Sequence, residues 1–334
     1  MAPFTVEVVE ESIPALADNQ LLVKTIVTAV SPGTEMLLYR NQMPMGVATD
    51  VSIAALGGEL RYPLKYGYAA VGRVVECGSN VDKKWQDQLV FGFNPHESYF
   101  IATPNGVMRL PDGMLPETAV FLPNMETAVS LVMDGQPMIG EQIAVFGQGI
   151  VGLLTTGLLA QHPLAKLVTL DKFELRREWS RRLGANISLD PTLPDGMEQL
   201  KSALRSATVY AGADLTFELS GNPQALDMAV QMAGFNGRVV VGSWYGTKQA
   251  TLNLGDHFHR NQMSLISSQV SQIRPQWNGR WSKQRRFQTV HKMLTQLNPS
   301  QLITHRYPIQ QAAKAYQQSH NAPEQVIQPI FIYP

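Results

Sequence analysis

Gly147-Gln148-Gly149-Ile150-Val151-Gly152 is the stretch of this chain whose residue types and spacing point most directly to a chemistry. A G-x-G-x-x-G run is informative only in context. Here the apolar run Gln142–Phe146 precedes it with strand character, and Leu153–Ala160 follows as an apolar helix broken only by Gly157. A second apolar run, Ala165–Leu170, ends on Asp171, the acid expected about 20 residues on in a dinucleotide-binding β-α-β unit. The first glycine allows a tight turn, the second admits a pyrophosphate close to the backbone, and the third lets helix pack on strand. The helix N-terminus then offers unpaired N–H groups to phosphate charge, and Asp171 can accept hydrogen bonds from ribose hydroxyls. The expected ligand is NAD(H). Lys172, Arg176 and Arg177 raise NADP(H) as the alternative, but an acid at position 171 repels a 2′-phosphate, and the cations read more simply as a solvated helix face.

The bulk of the sequence suits a carrier for such a site. At 334 residues two domains are the natural expectation. Apolar content is 44% and charged content 16%, with 27 basic and 27 acidic residues giving no net charge, so neither nucleic acid nor an anionic membrane is indicated as a partner. No apolar run reaches the length of a bilayer span, and the N-terminus lacks the basic and apolar regions of a signal peptide, which points to the cytoplasm. The single cysteine, Cys77, excludes an intrachain disulfide and a multi-cysteine zinc site.

The first 115 or so residues read as β-rich, with strands at 21–27 and 69–76 separated by turns at Ser31-Pro32-Gly33, Cys77–Asn80 and Pro111-Asp112-Gly113. Asn41 to Tyr62 reads as a long loop. From about 116 to 271 strands and helices alternate: a helix over 173–183, a strand over 214–219, a helix over 223–232 and a strand over 237–242. Such β-α repeats imply a doubly wound parallel sheet. Amphipathic helices near 286–297 and 309–318 and a strand over 327–333 follow, and return to the first domain. The predicted organisation is therefore α/β, with a β-rich domain of residues 1–115 and 272–334 and a Rossmann domain of residues 116–271.

Together these residues resemble the medium-chain dehydrogenase/reductase superfamily. The resemblance covers nearly the whole chain and rests on Ser31-Pro32-Gly33-Thr34-Glu35, Pro63–Tyr68, Ala70–Val75, the glycine fingerprint with Asp171, Glu218–Asn222 and Thr304–Pro308. It implies a GroES-like catalytic domain beside the Rossmann domain, an active site in the cleft between them, a small-molecule substrate, and a homodimer. It also implies that Ser220 to Asn222 and Gly242 to Tyr245, including Ser243 and Trp244, are cofactor-facing strand ends. Within the superfamily, Ser31–Glu35, Pro123–Ala128, Phe258–Arg260 and Ser267–Gln269 are similar to a zinc-poor bacterial branch that includes the bacteriochlorophyllide hydroxyethyl dehydrogenases.

The family's zinc ligands are missing. Proline stands at position 32 where zinc members carry cysteine, and Gly67-Tyr68-Ala69 stands where they carry G-H-E. No thiol lies near 122–125. Zinc needs about three protein donors, so none is expected here. Hydride chemistry then needs a side chain to manage the substrate's charge, either an alkoxide in alcohol/carbonyl interconversion or an enolate in conjugate reduction of C=C. Alcohol/carbonyl chemistry ranks first, an enoyl or quinone reductase second, and a non-catalytic nucleotide-binding protein third.

Four residues are candidates for that side chain. Thr34 stands where the family places a proton-relaying hydroxyl, against local turn capping as the plainer reading. Tyr68 replaces the lost ligand; it either faces the site or packs beside Tyr66. Glu35 either orients Thr34 or forms a surface ion pair. His96 starts a strand and is either structural or a proton shuttle. His257, His259 and Arg260 are read as a site rim rather than a metal centre, the H-x-H spacing placing both imidazoles on one side of a strand.

Overall fold

The computed structural model describes residues 1–47, 56–204 and 211–334. The expected loop at 41–62 lies partly outside the described residues; of its described part, Met43, Leu56 and Leu60 are buried with Leu37, Leu38 and Tyr66. The chain divides into two compact units, residues 1–123 with 294–334, and residues 124–293.

The first unit contains β1 (Leu21–Ala29), α1 (Glu35–Tyr39), β2 (Ala70–Cys77), β3 (Leu89–Gly92), β4 (Tyr99–Ala102), β5 (Val107–Arg109) and α2 (Pro116–Ala119). A long helix, α3 (Leu122–Gly135), leads into the second unit. That unit holds β6 (Gln142–Phe146), α4 (Ile150–Leu159), β7 (Lys166–Leu170), α5 (Glu174–Arg182), β8 (Ile187–Leu189), α6 (Gly196–Ala203), β9 (Ala213–Glu218), α7 (Pro223–Met232), β10 (Ala233–Val241) and β11 (Ser264–Ser267). Helix α8 (Lys283–Leu297) leads back to β12 (Ile303–Pro308), α9 (Ala312–Asn321) and β13 (Gln328–Ile332) of the first unit.

The first unit is built on a seven-stranded sheet in the order β12-β13-β1-β2-β3-β5, with β4 also pairing β1. Its pairings are antiparallel except β12 with β13. Alternation along β1 buries Leu21, Val23, Thr25 and Val27 on one face, as period-2 geometry requires. Alternation gives way at the end of the strand, where Thr28, Ala29 and the following Val30 are all buried and β13 pairs through Ala29 and Ile330.

The second unit is a six-stranded, wholly parallel sheet in the order β11-β10-β9-β6-β7-β8. Strands buried on both faces explain the continuous apolar runs of 142–146 and 166–170. Chain order runs outward from β6 in one direction to β7 and β8, then starts again on its other side with β9. The crevice at the carboxyl ends of β6 and β9 is thus a topological switch point, the place where open α/β sheets gather ligands. Among the described residues, no helix is long and apolar enough to cross a membrane.

One ion pair inside the second unit was not foreseen. Arg286, read as one face of an amphipathic helix, is 2% exposed. Its guanidinium donates to Glu126 Oε1 at 2.5 Å, to Ser130 Oγ at 3.1 Å and to the Val270 carbonyl at 2.6 Å, tying α8 and the segment after β11 to α3. Burial pushes the Glu126 carboxyl above its usual range in spite of Arg286 beside it. Arg286→Met is expected to destabilise the protein by about 3–5 kcal/mol, because it strands a buried carboxylate. The double variant with Glu126→Gln recovers much of that loss. Chemical denaturation of the two variants checks both statements.

Candidate functional site

The dinucleotide loop takes its shape from the three glycines, each for a different steric reason. Gly147 has φ +92°, and a Cβ there would lie 2.6 Å from the backbone of Ser220, at the end of β9. A Cβ on Gly152 would lie 2.0 Å from the Gly147 carbonyl oxygen, so the first turn of α4 closes directly on the loop. A Cβ on Gly149 would meet nothing within 4 Å. Gly149 is the N-cap of α4 and has no side-chain cap, so the first N–H groups of the helix stay open to a ligand. An anion seated against Gly149 therefore finds helix-dipole charge and room at one place.

The side chains around the loop sort into those that build it and those left on its rim. Gln148 is fully buried; its amide donates to the Gly147 carbonyl at 3.1 Å and accepts from Thr156 at 2.9 Å. Its side chain is thus spent on building the loop. Ile150 is buried and Val151 half-buried. Asp171 accepts the Gln148 N–H on Oδ2 at 2.8 Å and the Phe173 N–H on Oδ1 at 2.9 Å. The carboxylate therefore holds the loop against the end of β7 as well as offering its remaining lone pairs.

The cations after Asp171 are not a freely solvated face. Lys172 and Arg176 both stack on Phe173 with their charges 4.8 Å from the ring centroid. Arg176 stands 3.7 Å from Asp171, and Arg177 bridges the Asp171 carbonyl at 2.7 Å and Asp190 at 3.0 Å. Phe173 supplies the ring face that draws the first two cations together.

On the other side of the switch point, Glu218 is fully buried at the end of β9. It accepts the Ser220 N–H at 2.8 Å and the Tyr245 hydroxyl at 2.5 Å. Burial and that carboxylate push the Tyr245 phenol far above its ordinary value, so it remains a donor. Ser243 accepts the Gly221 N–H at 2.9 Å. A Cβ on Gly242 would strike Leu131 and Leu219, and Trp244 is half-exposed. Glu218 stands in the sequence reading only within the resembling stretch Glu218–Asn222 and Tyr245 only as the end of a cofactor-facing stretch; their hydrogen bond to each other is not foreseen there. The available signal was an acid ending an otherwise apolar strand.

In the first unit, the turn from Ser31 to Glu35 joins β1 to α1. The Tyr68 hydroxyl donates to Ser31 Oγ and lies 3.4 Å from Thr34 Oγ1, so three hydroxyls converge. Tyr68 also packs edge-on against Tyr66, with centroids 6.2 Å apart, so the packing and the site-facing readings both describe it. Glu35 is not at the surface. It is fully buried and accepts the Ser31 N–H at 2.7 Å, His96 Nε2 at 3.0 Å and the Tyr316 hydroxyl. His96 does not begin a strand; it precedes β4, and its N–H donates to the Tyr66 carbonyl at 3.1 Å. Its ring packs where a Cβ on Gly67 would stand, 2.8 Å from Cδ2, and Gly67 has φ +124°. Thr34, Glu35, Tyr68 and His96 are thus brought together, with Ser31 and Tyr316 added.

Comparison with known proteins bears on the fold of both units. The zinc-binding dehydrogenase family profile matches residues 151–286. The D-guloside 3-dehydrogenase of Escherichia coli (strain K12) is 26% identical over 306 residues, covering 88% of this chain and 86% of that enzyme. An Escherichia coli CFT073 alcohol dehydrogenase solved with NADH shares the fold with a TM-score of 0.79 at 16% identity, over 99% of this chain and 97% of that one. A Sinorhizobium meliloti 1021 protein solved with NADP gives 0.77 at 17% identity over the same shares. The chain is thus similar to medium-chain, zinc-binding-type dehydrogenases, the family profile falling within the second unit and the curated relative spanning both.

The second unit departs from one further expectation. His257 and His259 do not lie on a strand; they lie in and just after the helical turn Leu254–Phe258. Residues two apart on a helical turn face opposite ways, so the spacing does not pair the imidazoles. His257 instead lies 3.4 Å from its neighbour Asp256, both well exposed.

Proposed function

We propose that this protein is an NAD(H)-dependent, zinc-independent oxidoreductase that interconverts a hydroxyl and a carbonyl on a small or mid-sized metabolite. The observation that carries the reading is the convergence of Tyr68, Ser31 and Thr34 hydroxyls where zinc members keep metal ligands. A phenol beside two hydroxyls can give its proton to a carbonyl oxygen as charge develops there, and in the reverse direction the phenolate so formed takes the proton of a substrate alcohol. The hydrogen-bond-linked hydroxyls of Ser31 and Thr34 disperse the charge left on Tyr68. Bound nicotinamide would supply the hydride acceptor or donor. Its pyrophosphate would be held at Gly147, Gly149 and the start of α4, and its adenosine ribose at Asp171, with Ser220, Gly242, Ser243 and Trp244 along the strand ends. Lys172 and Arg176 stand over Phe173 at the edge of that ribose position. Asp171 is the reason NAD(H) is preferred over NADP(H), since its charge opposes a 2′-phosphate.

The donor set fits zinc poorly. Zinc takes thiolate, imidazole or carboxylate, whereas Ser31, Thr34 and Tyr68 present neutral hydroxyls. Both His96 nitrogens are engaged, Nδ1 with Thr28 at 2.7 Å and Nε2 with Glu35, and the Glu35 carboxylate already accepts three hydrogen bonds. Cys77 is buried at the end of β2, and burial pushes its thiol up. The hydroxyl-dehydrogenase names of the relatives support alcohol/carbonyl chemistry ahead of C=C reduction.

The test is label exchange. Purified protein, free of added metal, is incubated with 4-deuterated NADH and a panel of keto metabolites and enones. Stereospecific transfer of deuterium to a carbinol carbon, with less than stoichiometric zinc by metal analysis, is the expected result. Transfer to the β-carbon of enones alone would assign the protein to the C=C reductases, and one zinc per chain would overturn zinc independence. Weaker binding of NADPH than NADH is expected in parallel.

A further inference from the structure

Five polar side chains from β1, α1, the loop before β4, α9 and the segment after β13 meet inside the first unit. One arrangement of donors and acceptors satisfies all five. Glu35, with no exposed surface, takes the Ser31 N–H on Oε1, and on Oε2 it takes the Tyr316 hydroxyl and His96 Nε2. Burial first, and the Glu35 charge second, push the Tyr316 phenol well above its ordinary value, so Tyr316 keeps its proton and donates. With Nε2–H directed at the carboxylate, Nδ1 of a neutral imidazole accepts the Thr28 hydroxyl at 2.7 Å. Thr28 Oγ1 then accepts the Tyr333 hydroxyl at 3.1 Å. In this tautomer each hydroxyl uses its one proton, and donation runs in a single direction from Tyr333 to Glu35.

The chain meets the candidate site at Ser31. Ser31 and Glu35 clamp each other, since the Glu35 N–H donates to the Ser31 carbonyl at 2.8 Å while Glu35 Oε1 accepts the Ser31 N–H. The link is a backbone amide, which orients but passes no proton. Ser31 Oγ is the acceptor for Tyr68. A buried carboxylate that loses one of its donors must find another or rotate, and rotation of Glu35 releases the Ser31 turn.

We propose that Tyr316 and His96 are positioning residues, which by fixing the Glu35 carboxylate hold Ser31 where its hydroxyl meets the Tyr68 phenol. The proposal rests on the reading of Tyr68 as the proton-transferring group. Tyr316 lies on a C-terminal helix with no motif around it, and only the closing of β13 and α9 onto β1 and α1 brings it there.

Tyrosine labelled with 13C at Cζ reports the Tyr68 phenol in the full chain without substrate, its resonance being the one lost in Tyr68→Phe. In Tyr316→Phe and in His96→Ala that resonance is expected to move. Turnover is expected to fall about 10- to 100-fold, the cost of a small misplacement, while the NADH Kd changes less than twofold. His96→Gln, whose amide N–H can still reach Glu35, is expected to recover more turnover than His96→Ala. A Tyr68 resonance unmoved in these variants, with only the melting temperature lowered, would overturn the proposal and leave the network purely structural. The resonance is read without catalysis, so it answers whether or not the proposed reaction is the right one; loss of that reading would show separately as full turnover in Tyr68→Phe. Should Tyr316→Phe fail to fold, His96→Gln and His96→Ala carry the same comparison.

Discussion

Tyr68→Phe is expected to lower kcat by about 100-fold or more, the usual weight of a positioned general acid or base, while the NADH Kd stays within about twofold. The substitution removes one oxygen and leaves the ring packed edge-on against Tyr66, so the fold should be kept. The lost oxygen is the atom that joins Ser31 and Thr34 into one hydroxyl cluster. Steady-state kinetics with the substrate found by label exchange, together with fluorescence titration of NADH, separates the two quantities. An unchanged kcat would reduce Tyr68 to a packing residue. A loss confined to NADH affinity would move its role to the cofactor. Thr34→Val tests the weaker member of the cluster and is expected to cost less, since its oxygen stands at 3.4 Å from the phenol.

The second large effect separates binding from folding within the glycine loop. Gly149→Val is expected to weaken NADH binding at least about tenfold, equivalent to 1.4 kcal/mol, with little change in melting temperature. Gly149 has φ −67° and ψ −176°, extended backbone that any residue adopts, and a Cβ there meets no protein atom within 4 Å. The added side chain therefore occupies only the space a pyrophosphate needs. Gly152→Ala should do the opposite. Its Cβ would lie 2.0 Å from the Gly147 carbonyl, so the loop must distort, and the melting temperature falls along with affinity. Calorimetric titration and thermal melting on the two variants decide the matter. Equal loss of stability in both would mean that Gly149 is as structurally confined as its neighbour.

The fingerprint 147–152, the acid at 171 and the alternation of strands and helices were legible in the sequence because each follows from local chemistry. A tight turn needs glycine, a strand buried on both faces needs a continuous apolar run, and β-α repeats leave little choice but a parallel sheet. The same locality explains why Pro32, Tyr68 and Ala69 could be read as lacking zinc donors. Gln148 and Glu35 show where this stops. Whether a polar side chain turns toward ligand or inward depends on partners distant in sequence, Thr156 for the first and Tyr316 for the second. His257 and His259 show the same limit at short range, since their spacing pairs them on a strand and separates them on a helical turn.

What the residue order carries without further help is the fold class, the dinucleotide loop and the absence of thiolate and imidazole at the family's metal positions, all properties of segments a few residues long. The burial of Glu35, the meeting of Tyr68 with Ser31, and the line of hydrogen bonds from Tyr333 through Thr28 and His96 arise only when β13 and α9, some 280 to 305 residues downstream of the groups they touch, close onto β1 and α1. A hydrogen bond acts over about 3 Å. No pattern along the chain therefore records these partners, and packing alone turns a glutamate read as a surface ion pair into the buried centre of this network.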